Sequence, residues 1–199
     1  MRRRNIRKAL RAQLDVKEEQ DIELFHRLYV MSAERQGFTP VTLRNLRAQW
    51  DALAPGGHCS ALVGTFGDVP VAGLWLTRFA GTVTFKLAGW DPAKAPATAN
   101  EALHWAAIQR ARASGAHTYD LGGFDRRSAE RILAGMPLGE GFHKTPGNFK
   151  LGFCGTPILL PQARFKFTPR LADTALGPVA SRFLKSHTAR KIAHRMRSG

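Results

Sequence analysis

Between residues 21 and 36, "DIELFHRLYVMSAERQ", apolar side chains recur every three or four positions: Ile22, Phe25, Leu28, Tyr29 and Ala33. That spacing gathers them on one face of a helix. Asp21 suits the N-cap and Gly37 the stop. A second helix over roughly 41–53 carries Leu43, Leu46, Trp50 and Leu53 and ends at "APGG". Upstream, residues 4–12 predict a short helix and "LDVKE" a short strand. From Cys59 the period changes. "CSALVGTFG", "VPVAGLWLTRFA" and "GTVTFKLAGW" read as three strands joined at Gly67-Asp68 and Ala80-Gly81, an antiparallel meander. A helix over 98–114 follows, with Ala102, Leu103, Ala106 and Ala107 inward and Gly115 at its end. Then come a short strand in "HTYDLGG", a polar and partly helical stretch over 124–146, the segment "GNFKLGFCGTP", and a strand at "PILL". The order predicts an α+β domain with one mixed, mostly antiparallel sheet flanked by helices.

Charge divides the chain. Residues 1–11 carry six Arg/Lys and no acid, and residues 162–199 carry nine Arg/Lys and one acid, Asp173. The stretch between them is nearly balanced, so the net charge of +15 sits at the two ends. This predicts a domain over 1–161 and a basic, helical extension over 162–199. Cationic ends suit a phosphate backbone or an anionic lipid surface; a merely solvated tail is the alternative. Arg4, Arg7, Lys8 and Arg11 share one helical face, with Arg3 beside them. In the extension, Leu176, Val179, Ala180, Phe183 and Leu184 form an apolar stripe beside Arg182, Lys185, Arg190 and Lys191. Such a helix suits clasping RNA, lying on an anionic membrane, or docking on the domain. No apolar run approaches the ~20 residues of a membrane span. The basic start lacks an apolar stretch behind it. Two distant cysteines favour a reducing, cytoplasmic setting. The histidines show no metal-ligand spacing, so no metal is expected.

Five stretches taken in order, "RRNIRKAL", "ERQGF", "VPVAGLWLTRF", "LHWAAIQRARASGAHTYDLGG" and "NFKLGFCG", resemble the GNAT acyltransferase superfamily, and within it the FemABX branch. The resemblance implies a GNAT-like fold and transfer of an amino acid from aminoacyl-tRNA to an amine, with tRNA as co-substrate and no further cofactor. FemABX proteins carry two such domains, and this chain resembles the second alone. The first is then supplied by a partner, by dimerisation, or not at all. The family's Arg-x-x-x-Tyr falls here on Val41 and Asn45, and its meander tyrosines on Phe85-Lys86-Leu87. The expected acceptor is therefore a peptide or small natural-product-like amine rather than the usual muramyl peptide.

An aminoacyl ester is already activated, so the enzyme has to position the amine and stabilise the oxyanion. A partly desolvated lysine suits that task. In the family, the Phe-Lys of the Phe-Lys-x-Gly-Phe motif holds this role; the matching residues are Phe149 and Lys150. Asp120, before Gly122-Gly123, suits either orienting the amine and taking its proton, or capping a turn. Cys154 reads as a small core filler. Acetyl-CoA users of the superfamily cradle the diphosphate on a glycine-rich turn. Here that turn is "GWDPAKAPATANEAL", with prolines that lack an N–H. Two rivals remain: an acyl-CoA-dependent N-acyltransferase, and a non-catalytic RNA-binding domain of the same fold.

Overall fold

The computed structural model describes residues 2–96 and 98–161. Its chain forms two compact units, Met1–Pro157 and Ile158–Gly199. In the second, the described residues 158–161 have no regular structure.

The first unit opens with helix α1 (Arg2–Arg11) and strand β1 (Leu14–Glu19). Helix α2 (Ile22–Gln36) starts where the Asp21 carboxylate accepts the N–H groups of Glu23 and Leu24, and stops at Gly37 in the left-handed region, φ 70°. Helix α3 (Leu43–Leu53) is capped by Thr42. Strands β2 (Cys59–Phe66), β3 (Val69–Phe79) and β4 (Thr82–Trp90) form the expected antiparallel meander. Helix α4 (Thr98–Ala113) then crosses over to β5 (Thr118–Asp120), which runs parallel to β4. The sheet order is β1-β2-β3-β4-β5. After it come α5 (Arg126–Leu133), a single 3-10 turn (Phe142–Lys144) and α6 (Pro146–Leu151). The predicted strand at "PILL" is absent. Residues 157–160 form none, since Pro157 and Pro161 bracket too few residues to build a ladder.

Helices cover both faces of the sheet. Leu62, Leu74, Leu76 and Val83 pack with Leu103, Ala107 and Ala111 of α4 and Ala9 of α1. On the opposite face, Ala61 and Trp75 pack with Phe25 and Tyr29 of α2 and Leu46 of α3. Neighbouring residues of β2 and β3 thus belong to opposite cores, as the two-residue period of a strand requires. The central strand β3 is buried on both faces from Val71 to Leu76. Gly73 and Gly89 face each other across β3 and β4 and let α2 lie directly on the sheet. A Cβ at Gly89 would collide with the α2 backbone at Leu28 and Tyr29.

Two irregularities shape the end of the sheet that matters below. β5 pairs only with Thr82–Thr84 of β4. Just past that pairing, the β3–β4 register slips so that Leu76 faces Phe85 and Trp75 faces Leu87, leaving Lys86 as a bulge. From Phe85 onward, β4 has no strand on its outer side among the described residues.

Candidate active site

Lys150 lies in the last turn of α6, a helix started by Thr145, whose hydroxyl caps the Asn148 N–H, and by Pro146 in the first turn. Its ammonium donates to the carbonyl of Gly123. That carbonyl belongs to the turn leaving β5, which Asp120 closes by accepting the Gly122 N–H at 2.7 Å. Gly122 is required here twice over. Its φ is 74°, and a Cβ on it would meet the Phe85 carbonyl at 3.0 Å. Asp120, the glycine turn and Lys150 are thus brought together beside the bulged segment of β4. Burial holds the Lys150 amine below its usual pKa, and the Asp120 carboxylate partly offsets this. Asp120 caps its turn and supplies a counter-charge to Lys150.

Aromatic rings cluster beside α6. Phe149 packs on Phe153 with centroids 5.4 Å apart. Both lean on His104 of α4, at 5.4 and 5.7 Å, and Phe85 meets the same imidazole edge-on at 4.7 Å. His104 is only 2% exposed, and its Nδ1 shares a hydrogen bond with the Tyr119 hydroxyl at 3.0 Å. Burial, with the nearby Lys150 charge second, pushes the imidazole pKa down to about 3, so it is neutral at ordinary pH. Burial raises the Tyr119 phenol in turn. Sequence reasoning missed His104 and Tyr119. The available signal was the pair Glu101 and His104, three residues apart on the alanine-rich side of α4 that faces inward.

Glu101 sits in the first turn of α4, where an acyl-CoA diphosphate would seek helix N–H groups. It is 4% exposed, and its Oε1 accepts from Arg2 Nη1 at 2.6 Å and Asn5 Nδ2 at 2.9 Å. In the preceding loop, the Ala93 N–H goes to the Asp91 carboxylate, and those of Lys94 and Ala95 to the Asp91 carbonyl. Pro92 and Pro96 have none. The N–H groups of Ala93, Lys94 and Ala95 are thus taken, and the buried carboxylate at the helix start opposes a diphosphate. Among the described residues, no group of three or more His, Cys, Asp or Glu is arranged to hold a metal.

The remaining residues picked from sequence divide in two. Arg3, Arg4, Arg7, Lys8 and Arg11 are exposed on α1, with Ile6 and Ala9 turned to the core. Arg182, Lys185, Arg190 and Lys191, with the predicted C-terminal helix, lie outside the described residues. A cleft of about 250 Å³ opens at the other end of α4, between Cys59, Leu62, Arg78 and Arg110. It holds none of these residues, and its two arginines are committed to the carbonyls of Ser114 and Val16. No described helix is long and apolar enough to cross a membrane.

Among solved structures, the chain is similar to FemX, with a TM-score of 0.61, 15% identity, and 75% of this chain covered. It spans about half of that protein, 52% of its length. It is also similar to a possible acetyltransferase from Clostridium difficile 630, with a TM-score of 0.54 and 11% identity over 77% of this chain and 97% of that one. At such identities the likeness establishes the fold. A search of curated protein sequences gives no match. Residues 1–131, which stop short of α6 and Lys150, match the family model described as acetyltransferase (GNAT) domain, so the chain belongs to that family of acyltransferases.

Proposed function

We propose that this domain transfers an aminoacyl group from aminoacyl-tRNA to an amine. The observation that carries this reading is the Glu101 carboxylate, hydrogen-bonded by Arg2 and Asn5 in the first turn of α4. An acyl donor held by its diphosphate is disfavoured there, whereas a donor held by a polyphosphate backbone elsewhere is not. The cationic face of α1 supplies such a surface. Its first residue, Arg2, touches α6, so Arg3, Arg4, Arg7, Lys8 and Arg11 run outward from the lysine site over about 15 Å, at 1.5 Å per residue.

In this mechanism the free amine attacks the ester carbonyl carbon. The tetrahedral intermediate collapses to an amide as the C–O bond to the terminal ribose breaks. The proton lost by the amine goes to the leaving ribose hydroxyl. Lys150 supports the oxyanion by turning an N–H from the Gly123 carbonyl to the developing charge. Phe149 and Phe153 exclude water on one side. The Asp120 charge favours protonated Lys150, the state that the role demands.

A second reading, transfer from an acyl-CoA, is favoured by the family description itself. Incubating the protein with tRNA charged with labelled amino acid, or with labelled acetyl-CoA, and a pool of amines separates the two. The proposal expects labelled amide from the first donor only; amide from acetyl-CoA alone rejects it.

A further inference from the structure

We propose that Arg2 and Glu101 are positioning residues for Lys150, which makes Arg2 part of the active centre rather than of the RNA-facing surface. This rests on the reading of Lys150 as the group that serves the reacting carbonyl. Arg2 is the one arginine of the N-terminal run that turns inward. Its side chain is 16% exposed, and that of its partner Glu101 is 5% exposed. From the Glu101 bridge, its Nη2 reaches the Asn148 carbonyl at 3.4 Å, and its guanidinium lies 4.7 Å from the Phe149 ring centroid. The rest of the side chain crosses Gly152, where any Cβ would run into it. Asn148, Phe149 and Gly152 bracket Lys150. Arg2 therefore grips the helix on both sides of the lysine.

The grip matters because α6 cannot place itself. It has six residues, none of them fully buried, and so short a helix does not hold its shape alone. The Arg2–Glu101 pair is also poorly built for stability. Burying two charges costs more than a surface pair returns unless every polar atom is satisfied, yet Arg2 Nε and Glu101 Oε2 are buried without a partner. Such a pair is better explained by the arrangement it enforces. Glu101 and His104, one turn apart on α4, then support α6 together, the first through Arg2 and the second through Phe149 and Phe153.

The test uses the full chain and two variants chosen to separate grip from charge. Gly152→Ala pushes Arg2 aside while leaving every charge in place, and Gly152 has a backbone that alanine accepts, φ −61° and ψ −14°. Glu101→Gln is isosteric and loosens Arg2. Pulsed labelling of Lys150 with acetic anhydride, followed across pH by peptide mass spectrometry, reads the lysine without any need for turnover. Loosening α6 lets water reach the amine, so its labelling pKa rises toward its ordinary value in both variants. Through space alone, Glu101→Gln removes a negative charge and pushes that pKa down or leaves it unchanged. The upward shift is therefore the signature of positioning. In transfer assays kcat falls about tenfold or more while KM for the acyl donor changes little. Unshifted Lys150 titration in Glu101→Gln overturns the proposal, and circular dichroism melting confirms that the variants compared are folded. If the titration shifts but the wild type transfers nothing from charged tRNA, the positioning role stands and the choice of acyl donor fails.

Discussion

Two groups of opposite character sit side by side at the site: Lys150, half-buried and near one carboxylate, and His104, buried and neutral. Lys150→Ala should lower kcat about 10²–10³-fold, the usual cost of losing one oxyanion donor, while leaving donor binding nearly intact. Lys150 titrates below its usual 10.5 because burial disfavours its charge. An ammonium role therefore predicts that kcat/KM falls on an alkaline limb below that value. Asp120 raises the lysine pKa, so Asp120→Asn should move this limb to lower pH, as pH–rate profiles of the two proteins will show. For His104 the sign is opposite to that of a paired histidine. Its folded pKa lies near 3 and its ordinary value is 6.5, so between these limits the unfolded chain binds the extra proton. Stability should fall on acidification below about pH 6.5, by up to about 1.4 kcal/mol per pH unit from this residue. Denaturant titrations of wild type and His104→Gln should reveal that slope in the first and its loss in the second.

At the scale of elements, α2, α3 and the meander were legible because their apolar periods switch from helical to alternating at Cys59, with Asp21 and Gly37 marking the ends of α2. The lysine helix was harder to read. Its six residues carry too little pattern to distinguish a turn from a helix, and its position depends on Arg2, roughly 150 residues away in sequence. The same distance hid the buried role of Arg2, which in composition is one more cation. Glu101 and His104 have partners that come from other elements, Arg2 and Asn5 for the first and Tyr119 for the second, which no local pattern in α4 reveals. "PILL" was misread because a short apolar run between prolines carries the composition of a strand without a neighbour to pair with. The sheet offers its own test. Gly89→Ala forces a Cβ into the α2 backbone and should destabilise the domain by about 1–3 kcal/mol, read as a lowered urea midpoint with an unchanged slope.

For the whole molecule, the first unit is a GNAT domain with balanced charge through its middle and a cationic helix whose first residue enters the site. If that helix tracks RNA, affinity for uncharged tRNA should fall steeply with salt. Replacing Arg4, Arg7 and Lys8 together by alanine should flatten the log–log slope by about 2 to 3. An unchanged slope in filter binding would remove α1 from the RNA surface. On the proposed reading, the α4 turn holding Glu101 disfavours a diphosphate-bound donor, and Lys150 acts on an ester carried by RNA. Single-turnover transfer from labelled aminoacyl-tRNA, run beside labelled acetyl-CoA with wild type and Lys150→Ala, tests it most directly. Amide formed from the tRNA donor by the wild type and lost in the variant, with none from acetyl-CoA, is the expected result. Efficient transfer from acetyl-CoA, undiminished in Lys150→Ala, would contradict it.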